Sequence, residues 1–235
     1  MFASLARRER VPELMDDPAL DPAAHRLALA GLARANRFSR SADILWPSIL
    51  AQARQSPSKP LRILDVATGS GDVPLALAAR AKRAGVRLDL HGCDVSDTAV
   101  SAARDAAARA GVAATFFRHD AVADPLPAGF DVATCSLFLH HLSEPDAVTV
   151  LRRMGEAARV VLVNDMERSV PGFLLAWVAA RVLSRSPVVH FDGPASARSA
   201  FTPVEALHLA EAAGLHGATA RWRFPCRYLV KWSRR

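Results

Sequence analysis

The chain reads as an α/β protein built on one open sheet, and three observations carry that reading. A short apolar strand, 61–66, runs through Ala67-Thr68-Gly69-Ser70-Gly71 into a helix-forming stretch over 73–84. Further strand-like segments follow at 87–93, 113–119, 126–136 and 159–163, with helix-forming stretches between them; that alternation builds a parallel sheet. At 235 residues, 51% of them hydrophobic, the chain can bury a full core as a single α/β unit, and its composition argues against disorder.

The first 51 residues read as helical. Leu27, Leu29, Leu32 and Ala33 fall at near-helical spacing within 22–36, and 41–50 forms a second short helix, interrupted at Pro47. Residues 53–60 (Ala-Arg-Gln-Ser-Pro-Ser-Lys-Pro) have linker composition. This divides the chain into a helical N-terminal cap with linker, 1–60, and a main domain, 61–235. Met1–Arg10 is charged and lacks the apolar stretch of a signal peptide. Cys93, Cys135 and Cys226 have no metal-ligand spacing and suit a reducing compartment, so a cytoplasmic location is expected.

The turn after the first strand is the most informative segment. Glycines there let backbone approach a ligand, and the helix behind presents unpaired N–H groups to it. The second strand closes on Asp94, 23 residues beyond Gly71, near the offset expected of a ribose-binding carboxylate. The third ends in Asp120-Ala121, which can hold an adenine amino group. A dinucleotide site would want a third glycine after Gly71, where this chain has Val73 and Pro74.

Asp65-x-x-x-Gly69-x-Gly71, Asp94-Val95-Ser96, Asp120-Ala121 and Leu126-Pro127-x-x-Phe130-Asp131 together resemble the class I S-adenosylmethionine-dependent methyltransferases, in that family's order and over about 61–165. The resemblance implies a Rossmann-like, seven-stranded, mostly parallel sheet with its last strand antiparallel. It also implies S-adenosylmethionine as cofactor, bound by Asp65, Ala67, Gly69, Gly71, Asp94, Val95, Asp120, Ala121 and Ser136. The opening Pro12–Asp16 and Ala35–Ser39 look like the leader of a bacterial subfamily whose N-terminal helices cap the cofactor cleft.

The catalytic candidates follow the fourth strand, where ligands of open α/β sheets sit. Phe138-Leu139-His140-His141-Leu142-Ser143-Glu144 looks like the stretch of small-molecule O-methyltransferases in which a histidine deprotonates a phenol. His140 takes the base position, and His141 stands where an acidic residue is common. His190 is a third candidate; the alternative for 188–194 is that Asp192-Gly193 simply makes a turn.

Between the fifth strand and the capping box Thr202-Pro203-Val204-Glu205 lie almost forty residues, too many for a structureless loop. Within this insertion, 166–201, the apolar stretch 171–184 reads as a helix too short to span a membrane. As a lid built from Phe173, Leu174, Trp177, Val178 and Leu183 it would suit an aromatic or lipid-like acceptor; plain core and a peripheral membrane contact aided by Arg181 and Arg185 are the alternatives. The net charge of +7 is spread along the chain rather than clustered, which disfavours a nucleic-acid partner. No metal ligand set is evident, although His140, His141 and Asp165 could in principle gather round one ion. The expectation is a small-molecule methyltransferase favouring O-methylation; an RNA or protein methyltransferase, and an inactive S-adenosylmethionine-binding regulatory protein, are the alternatives.

Overall fold

Strand β1 (Leu61–Val66) is buried at every position but Arg62, the near-continuous burial of a strand covered on both faces. In the computed structural model, which describes residues 5–16 and 19–234, it is an interior strand, paired with β2 and β4, of a seven-stranded sheet. The other strands are β2 (Leu88–Asp94), β3 (Ala114–Arg118), β4 (Phe130–Ser136), β5 (Ala158–Met166), β6 (Thr219–Arg223) and β7 (Arg227–Ser233). Their order is β3-β2-β1-β4-β5-β7-β6, and β7 runs antiparallel to both its neighbours. The order reverses between β1 and β4, which opens a crevice beyond their carboxyl ends.

Alternation along the strands divides the core in two. Leu64, Val66, Ala133, Cys135, Val161 and Val163 point to the face covered by α5 (Glu144–Ala157) and α8 (Pro203–Ala212). Ile63, Val132, Val160 and Leu162 point to the other face, where they meet Ile44, Leu45 and Ile49 of α2 (Ser41–Gln55) and Leu77 of α3 (Asp72–Ala84). The second N-terminal helix is therefore a layer of the main core. It runs unbroken through Pro47, longer than the interrupted helix expected, because burial of Ile44, Leu45 and Ile49 holds both sides of the proline to one surface. Helix α4 (Asp97–Ala110), between β2 and β3, starts on a Ser96 side chain that accepts from Ala99 N–H, and stops at Gly111.

The insertion after β5 folds as two helices, α6 (Val170–Leu183) and α7 (Pro187–Ser199). The turn expected at 188–194 is thus corrected to helix. Gly193 serves close packing: a Cβ there would lie 2.9 Å from Ala180 Cβ and 3.2 Å from the Ala176 carbonyl oxygen of α6. Asp192 makes no turn either; its carboxylate accepts from Leu14 N–H at 2.8 Å and Met15 N–H at 3.1 Å. Helix α1 (Pro22–Ser39), capped by Asp21, packs on this pair, with Ala28 buried against Ala180, Val188 and Val189. The side chains of Leu32, Ala33, Asn36 and Phe38, counted above toward helical spacing and the leader motif, lie outside the described residues.

The inward face of α6 also differs from expectation. Phe173 is buried, but Leu174, Trp177 and Val178 face solvent at 43–47% exposure, with Arg181 stacked 4.1 Å over the Trp177 ring. An all-apolar helix carries no periodicity to say which face is inside. No described helix is long and apolar enough to cross a membrane.

Candidate active site

At the end of β1 the backbone takes up left-handed conformations at Ala67 (φ +54), Gly69 (φ +55) and Gly71 (φ +78). A Cβ built on Gly69 would meet nothing within 4 Å, so this part of the turn faces open space. Beneath it Asp65 is sealed in, accepting from Thr134 Oγ1 at 2.6 Å and Thr68 Oγ1 at 2.8 Å. Its role is to brace the turn from below. Burial pushes the Asp65 carboxyl up to about 6, against the two hydroxyl donors that hold it down, with nearby Asp94 raising it further. The folded state therefore favours the protonated acid, and that contribution to stability is present below about 3.8 and lost as pH rises through about 6. Relative to Asp65→Asn, the wild type should lose about 2 kcal/mol of stability between pH 4 and 7, read from denaturant midpoints across that range. A constant difference would overturn the assignment.

Asp94 spans the two loops of the crevice, one oxygen accepting from Gly69 N–H at 2.9 Å and the other from Ser96 N–H at 3.0 Å. Each oxygen keeps a lone pair for a ligand. Asp120 is half engaged in the same way: Oδ1 accepts from Val122 and Ala123 N–H. Val95 is 54% exposed at the mouth, whereas Ala121 is buried and its carbonyl is held by Arg153 Nη1 at 2.9 Å. Strand β2 needs a small residue at Gly92, where a Cβ would stand 2.8 Å from the Phe116 ring and 2.9 Å from Thr68 Oγ1.

On the other side of the crevice, β4 ends at Ser136 and the chain enters a single 3-10 turn, Leu139–His141. Leu137 takes φ +59, which costs a non-glycine residue about 1–2 kcal/mol, and its N–H donates to the Asn164 carbonyl at 2.9 Å. This brings the turn onto the end of β5, where Asp165 receives it. One Asp165 oxygen accepts from His140 N–H at 3.1 Å, and the other lies 2.6 Å from His140 Nδ1. Both side chains are almost fully buried. Burial alone would raise the Asp165 carboxyl; the His140 ring and its hydrogen bond, Met166 N–H and Arg227 outweigh that and hold it below the usual carboxylate value. An ionised Asp165 can only accept, so Nδ1–H donates to it and Nε2 is the ring nitrogen left to face outward from that pair.

Nε2 faces the N-terminal segment. Glu13 Oε1 lies 3.7 Å from it, and Glu13 Oε2 lies 3.8 Å from His141 Nδ1. Glu13 is held in turn by the Ser196 hydroxyl of α7. Arg8 ties the same segment to the histidine turn: Nη2 donates to the carbonyls of His140 (3.0 Å) and Leu142 (2.6 Å), Nε to that of Ser199 (2.6 Å), and the guanidinium lies 3.7 Å above the Phe201 ring. His190 does not join this group among the described contacts; its Nε2 lies 2.8 Å from the Ser184 carbonyl, bracing the α6–α7 connection.

At the same end of the sheet, β4, β5 and β7 carry buried polar atoms with no partner among the described residues: Ser136 Oγ, both side-chain atoms of Asn164, Tyr228 Oη and Arg227 Nη1. Ser136 pairs in register with Asn164, and Asp165 with Tyr228. Leaving such groups unpaired costs about 1–3 kcal/mol each, so this end of the sheet is prepared for a polar ligand.

Residues 63–160 match the family described as a methyltransferase domain. Among curated relatives, the ubiquinone biosynthesis O-methyltransferase of Methylococcus capsulatus is 31% identical over 127 residues, 53% of this chain and 51% of that one. The demethylmenaquinone methyltransferase of Thermus thermophilus is 34% identical over 125 residues, 53% and 52% of the two chains. The chain thus spans about half the length of the curated relatives it matches. Of solved structures, magnesium protoporphyrin IX methyltransferase from Synechocystis PCC 6803 with bound S-adenosylhomocysteine superposes with a TM-score of 0.57 at 15% identity, over 93% of this chain and 90% of that one. The methyltransferase SibL in its apo form gives 0.64 at 19% identity, over 99% and 65%. At these identities the structural likenesses speak to the fold. The sequence match, in contrast, covers β1 through the start of β5, the stretch that builds both walls of the crevice, on a sheet whose β7 is inserted backwards between β5 and β6. The methyltransferase-domain match thus lies on residues 63–160, and the chain around it resembles the class I S-adenosylmethionine-dependent methyltransferases in sheet order.

Proposed function

We propose that the protein transfers a methyl group from S-adenosylmethionine to an oxygen of a small aromatic or lipid-like acceptor of the phenol or quinol kind. The observation that carries this reading is the His140 ring, fixed through Nδ1 by Asp165 just beyond β4, with Nε2 left out of that bond and facing Glu13. The curated relatives, named for ubiquinone biosynthesis O-methylation and demethylmenaquinone methylation, support a small-molecule acceptor.

The residues present fit the cofactor. Gly69 leaves space in front of the turn, Asp94 retains lone pairs suited to ribose hydroxyls, Asp120 keeps a free Oδ2 face for an adenine amino group, and the Ser136 hydroxyl awaits a partner. When bound, S-adenosylmethionine supplies an electrophilic methyl group on a sulfonium. Asp94→Ala should weaken its binding by about 1–3 kcal/mol, the scale of a lost charge-assisted hydrogen bond; unchanged affinity in calorimetry removes Asp94 from that role.

A phenol with a pKa near 10 is mostly protonated at neutral pH, so its oxygen needs help to attack. His140, oriented by Asp165, gives that help through Nε2, either by taking the proton directly or through a charge held there. Positioning the acceptor at near-attack distance is the larger contribution, about 7–11 kcal/mol where it is well made. The test is transfer of label from isotopically labelled S-adenosylmethionine to a panel of catechols and hydroquinones and to a bacterial lysate, followed by separation of organic, nucleic-acid and protein pools. Label in the organic pool is expected. Label confined to RNA or protein, or cofactor binding without turnover, overturns the reading.

A further inference from the structure

Glu13, His140 and His141 each offer a ligand atom, and these atoms lie within 4.8 Å of one another. We propose that they form a binding site for one divalent transition-metal ion of the zinc type, three-coordinate from the protein with an open position toward the crevice.

Four features support the site. Two donors each about 2.1 Å from a tetrahedral ion stand about 3.4 Å apart; Glu13 Oε1 lies 3.7 Å from His140 Nε2 and Oε2 3.8 Å from His141 Nδ1, so one carboxylate faces both rings and the set, within 4.8 Å, closes on an ion by moving inward. These separations are also too long for hydrogen bonds, so His140 Nε2 and a carboxylate oxygen face each other without a direct bond. The second feature is Asp165. A metal-binding histidine usually donates its other ring N–H to a carboxylate, which fixes the tautomer and strengthens the donor, and His140 Nδ1 makes that bond at 2.6 Å. Third, the carboxylate ligand is itself oriented, by the Ser196 hydroxyl. Fourth, two imidazoles and one carboxylate are a donor set suited to borderline divalent ions. The ligands come from distant parts of the chain, and Arg8 and Asp192 pin the segment that brings Glu13 across, so the site forms only in the folded protein.

With the ion on Nε2, His140 would no longer take the proton itself: an acceptor hydroxyl bound in the open position would ionise as a stronger acid, its oxygen staying on the ion and its proton passing to solvent. That ligand assignment rests on the hydroxyl-acceptor reading; the ion site does not. The test is a titration of chelator-stripped protein with Zn2+ by calorimetry, and with Co2+ by visible absorption. One ion per chain is expected, with the intense d–d bands of a low-coordinate cobalt site. Glu13→Gln and His141→Ala should each weaken Zn2+ at least tenfold with S-adenosylmethionine affinity unchanged, melting curves confirming that both variants fold. No stoichiometric uptake, or uptake untouched by both substitutions, overturns the site. Stripped protein that methylates a catechol at the rate of zinc-loaded protein refutes the ion's part while leaving the methyl-transfer reading standing. Stoichiometric zinc with no methyl transfer to any hydroxyl acceptor does the reverse.

Discussion

Replacing His140 with alanine should lower kcat by about 10²–10⁴-fold, the usual worth of a positioned group that handles a proton, while the affinity for S-adenosylmethionine stays as it was. The separation is expected because cofactor and histidine are served by different elements. The glycine turn, Asp94 and Asp120 belong to β1, β2 and β3, whereas His140 hangs from β4 and is held by β5. The backbone N–H of His140 keeps its bond to Asp165 in the variant, so the turn is retained. His140→Gln, closer in volume, separates loss of the imidazole from loss of packing. Turnover that survives both substitutions would make the histidine scaffold, and the acceptor would then have to be one that needs no deprotonation.

The turn and strand ends proposed to hold the cofactor were legible as structure because they are local. Asp65, Gly69 and Gly71 lie within one strand–turn–helix unit, and Asp94 and Asp120 end the next two strands, so each position follows from where a strand stops. The capping box at Thr202–Glu205 forms as expected for the same reason, both partners lying within one turn of helix. What sequence could not give is what distant segments do to one another. Asp192 sits beside a glycine and looks like a turn, yet it caps backbone 178 residues away. Glu13 sits in a leader segment with no periodicity, and only the packing of α1 and α7 carries it to the histidines. His190, a catalytic candidate by type and neighbourhood, spends its ring on a carbonyl six residues earlier. Helix α6 failed differently: an all-apolar helix has no polar face to mark its outside, so the exposed Leu174, Trp177 and Val178 were indistinguishable from buried Phe173.

Arg168→Ala should destabilise the protein by about 3 kcal/mol, because the lost guanidinium leaves several groups unpaired at once. Its Nε donates to the Leu5 carbonyl, Nη1 to the Ala200 carbonyl, and Nη1 and Nη2 together grip Glu205 at 2.8 and 2.6 Å. The arginine is 6% exposed, so water cannot replace those bonds at the two carbonyls, while Glu205, partly exposed, recovers some hydration. For a chain of this size the loss corresponds to a fall of roughly 6–12 °C in melting temperature. Glu205→Gln should cost clearly less, since the guanidinium keeps both carbonyls, and a double variant should fall short of the sum because the two residues share one network. The consequence reaches the site through the chain itself. Leu5 begins the segment that carries Arg8 to the histidine turn and Glu13 to its face, and Ala200 ends the helix whose Ser196 holds Glu13. Loosening Arg168 frees both ends of that platform. Turnover in the folded variant should therefore drop more than cofactor affinity does; a variant equally stable, or one that loses cofactor binding first, would separate the N-terminal segment from the chemistry.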